Sequence, residues 1–156
     1  PTVEFQALVN EQNEIDARNA QRLVEIVAEI GWPTSGRVGL EASEATQLLI
    51  QHFGLEHQKQ LLPYLLAAVN AGEAGASSWA MLEDDILVKE GKEQLYGTEI
   101  VTGPDGQFAL YAVQDPKKLN ERRLAVGLPP IEVYIQFAEL SLGSAIDIST
   151  LTRERP

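Results

Sequence analysis

Apolar residues recur at helical spacing along the first part of the chain. Phe5, Leu8, Ile15, Leu23, Ile26 and Ile30 fall near one face, with Val9, Val24 and Val27 beside it. The pattern predicts one long helix over residues 3–30. Gln12 and Asn19 interrupt the stripe, and Asp16 lies close to them. An inward polar group without a partner costs about 1–3 kcal/mol. Either the N-terminal half of the helix is partly exposed or bent, or Asp16 and Asn19 line a polar pocket.

Gly31 stops this helix in the usual position and Pro33 forbids its continuation. After the loop 31–41, Ser43 is the expected N-cap of a second helix. That helix carries Ala45, Leu48, Leu49, Ile50 and Phe53, and Gly54 ends it. Residues 56–71 read as a third helix with Leu61, Leu62, Leu65, Leu66 and Val69 on an apolar face; Pro63 should kink it or mark its first turn. A fourth, capped by Ser77 or Ser78, runs to about Glu90 with Trp79, Leu82, Ile86 and Leu87 apolar. Its acidic run Glu83-Asp84-Asp85 reads as a solvated face, because consecutive helical side chains diverge and cannot surround a cation.

Then the period changes. Thr102-Gly103-Pro104-Asp105-Gly106 is a turn signal between β-branched and aromatic positions, which predicts a hairpin of strands at about 97–102 and 107–113. Asp115 as N-cap with Pro116 behind it restarts helix to about Val126, where Gly127 stops it. Leu128-Pro129-Pro130 breaks the chain, and Ile131 to Leu142 forms a final amphipathic helix. The expected fold is mainly α: a single-domain antiparallel assembly of about five or six helices with one β-hairpin (about 97–113) packed on it. Its globular part is residues 1–142. Residues 143–156 form a loosely held C-terminal tail, docked by Ile146, Ile148 and Leu151.

Composition changes this picture little and narrows the partners a good deal. The 156 residues are 44% hydrophobic and 22% charged, an ordinary globular balance. A net charge of −11 argues against nucleic acid and anionic membrane surfaces, which need a basic face, and leaves room for a basic protein partner. The absence of cysteine removes disulfides and thiolate chemistry. No apolar run reaches the roughly 20 residues of a membrane span. The opening Pro1-Thr2-Val3-Glu4 shows no signal peptide, so a cytoplasmic location is expected, with a trimmed export signal as the alternative. Oligomeric state leaves no mark in the sequence.

Candidate chemistry is sparse. His52 and His57 do not share the helical face that a zinc pair needs, and no metal or cofactor is expected. There is no G-x-S-x-G elbow, G-x-G-x-x-G loop or Walker motif. His52 follows Gln51 at the end of an apolar helix, and an imidazole suits general acid–base work if a pocket surrounds it. Gly97 in Tyr96-Gly97-Thr98 allows a sharp turn or a close approach to a ligand. Arg122-Arg123 could form a fork for a carboxylate or phosphate; the plainer reading sends one arginine to solvent and pairs the other with a carboxylate.

Together, Gly31-Trp32-Pro33, Val38-Gly39, Ala45, Gln51-His52, Tyr96-Gly97-Thr98, Asp115-Pro116, Glu121-Arg122-Arg123 and Gly127-Leu128 resemble a bacterial family of small domains of unknown function. The resemblance covers about residues 15–135. Leu82-Glu83-Asp84-Asp85 departs from the Asp-Arg of that pattern. The resemblance implies no activity; it implies that the motif positions share one feature, a pocket or a difficult piece of packing.

Three functions follow as expectations. The first is a domain binding a small anionic or amide-bearing ligand, or a peptide end, near His52, with Trp32, Gln51, Tyr96, Thr98, Arg122 and Arg123 as ligand-binding residues. The second is an enzyme with His52 as general acid or base, Asp16 orienting the imidazole and an arginine holding an anion. The third is a protein–protein adaptor or immunity-like module.

Overall fold

A computed structural model describes residues 2–152. The expectations for Pro1 and for the tail beyond Thr152 lie outside the described residues. Among the described residues seven α-helices and a small sheet of three strands make the fold mainly α, and the Cα chain divides into two compact units, one up to Ala74 and one from Gly75 on.

In the first unit, α1 (Val3–Ile30) is the predicted long helix, started by Thr2, whose Oγ1 accepts from the Phe5 N–H at 3.2 Å. Ala20, Leu23 and Val27 are its buried face. Val3, Phe5 and Leu8 stay exposed, so the N-terminal half of the stripe meets solvent. Gly31 ends the helix at φ 75°, and Trp32, Pro33 and Thr34 bury behind it. A short α2 (Ser35–Val38) follows, then Gly39 at φ 84°, and α3 (Leu40–Ile50) starts there. Ser43 is therefore no cap. Its N–H bonds to the Gly39 carbonyl, one turn into a helix that begins earlier than the sequence suggests. α4 (Leu55–Asn70) runs through Pro63 in its interior, and α1 packs against both α3 and α4. Buried Gln58 donates Nε2–H to the Ile50 carbonyl at 2.9 Å, meeting an acceptor that the end of α3 leaves open.

The second unit opens with α5 (Ala76–Lys89), whose N-cap position is Gly75 rather than Ser77 or Ser78, which lie inside the first turn. β1 (Ile100–Thr102) and β2 (Phe108–Leu110) form the antiparallel hairpin, shorter than predicted. The sequence missed β3 (Ile146–Asp147), which pairs parallel to β2 with Ile146 opposite Phe108. Asp115 is another departure: at φ 43° it is left-handed, its side chain caps nothing, and residues 116–118 form a 3-10 turn before α6 (Leu119–Ala125). α7 (Ile131–Leu142) matches its prediction. Leu110, Val113, Leu119, Ile131, Ile135 and Ile146 form one buried cluster, with Ile100, Phe108, Tyr134, Ala138 and Leu151 against it. Ile146 and Leu151 thus tie the segment after Gly143 to this core, while Ile148 is exposed.

Among the described residues no helix is long and apolar enough to cross a membrane.

Candidate functional site

Residues 95–99 follow no regular secondary structure, yet Tyr96, Gly97 and Thr98 are all buried. A buried irregular segment must have its peptide groups satisfied by something other than a ladder or helix. Side chains do it here. Asp84, fully buried on α5, accepts from the N–H groups of Leu95 (2.6 Å), Tyr96 (3.0 Å) and Thr98 (3.1 Å) and from Thr98 Oγ1–H (2.9 Å). Gln94 Oε1 accepts from the Glu99 N–H at 2.8 Å, and its Nε2–H reaches the Glu99 and Tyr111 carbonyls.

The carbonyls of Leu95, Tyr96 and Gly97 meet cations. Arg122 donates Nε–H to Leu95 O at 2.7 Å and its two terminal nitrogens to the carbonyls of Asp115 and Gln114. Arg123, with no exposed surface, donates to the carbonyls of Tyr96, Gly97 and Pro129. Its guanidinium lies over the Tyr134 ring, 4.9 Å from the centroid, and Tyr134 O–H closes the set on Thr98 O at 2.7 Å. Both arginines hold main-chain carbonyls, rather than one facing solvent and the other pairing with a carboxylate. Trp79 meets Tyr96 edge-on at 6.1 Å. Gly97 sits at φ 67°, and a Cβ there would come within 3.2 Å of Ile131 Cδ1. Only glycine fits that position without strain.

Burial sets the electrostatics. Desolvation pushes the Asp84 carboxyl above its ordinary value, while its four donors pull the other way. Desolvation also raises Tyr96 and Tyr134 and lowers Arg123.

This framework presents a groove of about 320 Å³, lined by Thr98, Glu99, Ile100, Phe108, Tyr134, Ala138, Ser141 and Leu142. Its walls are mostly apolar. Glu99 is the titratable carboxyl in it, and among the described residues no hydrogen bond or ion pair reaches that carboxyl. Burial first, then the charges of Asp85 and Asp84, push its pKa from 4.5 to about 7, against a smaller opposing pull from Lys89. A carboxyl in that range holds a proton in part of the molecules at neutral pH. It can donate as well as accept.

The model of DUF6624, a family of unknown function, matches residues 4–147. The chain belongs to DUF6624. No curated protein and no solved structure matches it.

In this DUF6624 chain the sequence-predicted site residues divide between the two units. Tyr96, Thr98, Arg122 and Arg123 come together around the 95–99 segment, and of these Thr98 lines the groove. Trp32, Gln51, His52 and Asp16 belong to the first unit. Trp32 is buried and among the described residues its Nε1–H has no partner, while Gln51 and His52 are exposed on the turn that closes α3. Asp16, half-buried, accepts the Gln12 amide at 2.9 and 3.0 Å. Among the described residues no group of three or more His, Cys, Asp or Glu could hold a metal ion.

Sequence reasoning missed Asp84, Gln94, Glu99 and Tyr134. Asp84 was legible in part. It sits four positions after buried Ala80, so the helical period puts it on the inward face although Glu83 and Asp85 make it look solvated. Nothing local marks the other three.

Proposed function

We propose that this domain binds a small, neutral, amide-bearing ligand with an apolar body in the groove beside Glu99. The observation that carries the reading is the unpartnered Glu99 carboxyl in an apolar-walled groove, titrating at about 7. A protonated carboxyl and a carboxamide are complementary, each offering one donor and one acceptor. Ile100, Phe108, Ala138 and Leu142 would cover an alkyl group. The charges of Asp84 and Asp85 disfavour the anionic ligand that the sequence also allowed.

Butyramide is a suitable probe, with butyrate and butylammonium as controls, followed by amide-resolved NMR titration. Because the complex needs the Glu99 proton, affinity should fall about tenfold between about pH 6 and about pH 8. Glu99→Gln should keep the binding and lose that pH dependence. Equal affinity at both pH values, or a stronger response to butyrate, would refute the reading.

A second reading keeps His52. Its ring is exposed and makes no hydrogen bond among the described residues, which leaves both nitrogens available to a ligand. A metabolite that stabilises the wild type but not His52→Ala in thermal shift would support it; identical responses would dismiss it.

A further inference from the structure

The Gly31-Trp32 loop lines a cleft of its own within the first unit. It has a volume of about 200 Å³, with Trp32, Arg37, Tyr64, Ala67, Ala71 and Glu73 among its walls. Short alanine side chains on α4 leave the space open, and Tyr64 supplies an aromatic wall. Two further features distinguish it from a packing gap. The first is an orphaned donor in one of its walls: Trp32 is 3% exposed, and among the described residues its indole N–H has no hydrogen-bond partner. A buried donor in that state costs about 1–3 kcal/mol. The second is a pair of opposite charges. Arg37 Nη2 and Glu73 Oε2 stand 3.8 Å apart, both side chains about half-exposed, at 47% and 46%. A contact that long and that wet contributes little, so parting it costs little. Arg37 is meanwhile anchored by Nη1, which donates to the Ile30 carbonyl.

We propose that this cleft is a binding site for a small zwitterion of the free α-amino-acid type, its carboxylate on Arg37 and its ammonium on Glu73, with Trp32 as a neighbouring wall. An α-amino acid carries both charges on one carbon, so one small ligand exchanges the loose Arg37–Glu73 contact for two closer ones. The cleft lies below the volume range of drug-sized ligands, which restricts the side chain to a small one such as that of glycine or alanine. A peptide would not fit the same description, because its ammonium and carboxylate sit on different residues rather than on one carbon. The site is independent of the groove beside Glu99.

The test is titration of the ¹⁵N-labelled chain with L-alanine and glycine, read at the Trp32 indole resonance; Trp79→Phe assigns that resonance. Saturable shifts are expected at about 1–10 mM, a range typical of small, weakly bound ligands. N-acetylalanine, which lacks the ammonium, and alaninamide, which lacks the carboxylate, should each bind at least about tenfold more weakly. Arg37→Gln and Glu73→Gln should each weaken alanine binding by about tenfold. Ala67→Leu, at an exposed helical position lining the cleft, should abolish binding while leaving the thermal melt unchanged. Glu99→Gln should leave alanine binding as it is, which separates this site from the groove. No indole shift with either amino acid would overturn the proposal. So would an equal response to N-acetylalanine or acetate, which would mark a plain anion site, or undiminished binding in Ala67→Leu.

Discussion

Replacing Glu99 with glutamine should make the folded chain more stable at alkaline pH and change it little in acid. The folded-state pKa is raised, from 4.5 to about 7, so the folded chain keeps a proton through a window in which the unfolded chain has released it. Linkage then gives the sign: the stability associated with this proton is full below about 4.5, falls through the window, and is lost above about 7. The difference of about 2.5 pH units, at about 1.36 kcal/mol per unit, sets a ceiling of about 3.4 kcal/mol. Glu99 is only half-buried, and water reaching its carboxyl lowers the expected effect to about 1–2 kcal/mol. Glutamine copies the shape and polarity of the protonated acid. The two proteins should therefore unfold in urea at closely similar midpoints near pH 4.5, and the variant should gain about 1–2 kcal/mol by about pH 8. Taking the difference between wild type and variant cancels the other carboxylates. A ¹³C-carboxyl titration reports the same group directly. A Glu99 carboxyl titrating at the ordinary value, or a pH-independent stability difference, would refute the argument that burial and the charges of Asp85 and Asp84 govern it.

Asp84→Ala orphans two buried N–H groups, the part-buried Leu95 N–H and the Thr98 hydroxyl at once, so it should destabilise by about 3 kcal/mol or more in urea unfolding; a loss below about 1 kcal/mol would mean that water replaces the carboxylate. Gly97→Ala combines a left-handed φ of 67° with a contact at 3.2 Å to Ile131, and should cost about 1–2 kcal/mol by the same measurement.

The helices were readable because their evidence is local. An apolar stripe, a glycine at the end and a proline behind it lie within a few turns of one another. That sufficed for α1 and α7, whose predicted and observed ranges coincide, and it brought α4 and α5 within a residue or two. Caps were less readable. Ser43 and Asp115 have suitable side chains, but the backbone at Gly39 and the left-handed Asp115 place the helix starts elsewhere. The family resemblance grouped Tyr96-Gly97-Thr98 and Arg122-Arg123 with Gly31-Trp32-Pro33 and Gln51-His52; the structure joins the first two by hydrogen bonds and places the other two in the first unit.

What the sequence determined by itself is a mainly helical acidic chain with a hairpin, because periodicity and turn chemistry act over short separations. The tertiary structure decided the rest. It turned Asp84 inward onto peptide groups 11 to 14 residues away, and set Arg122 and Arg123 on carbonyls 26 or 27 residues back. It brought Tyr134 to Thr98 across 36 residues and paired β3 with β2 across α6 and α7. A buried irregular segment takes whatever donors and acceptors the fold delivers, and their identity is written only in the fold. The same holds for Glu99. Its sequence position looks like any surface carboxylate, and its proton affinity is set by the burial that the groove imposes.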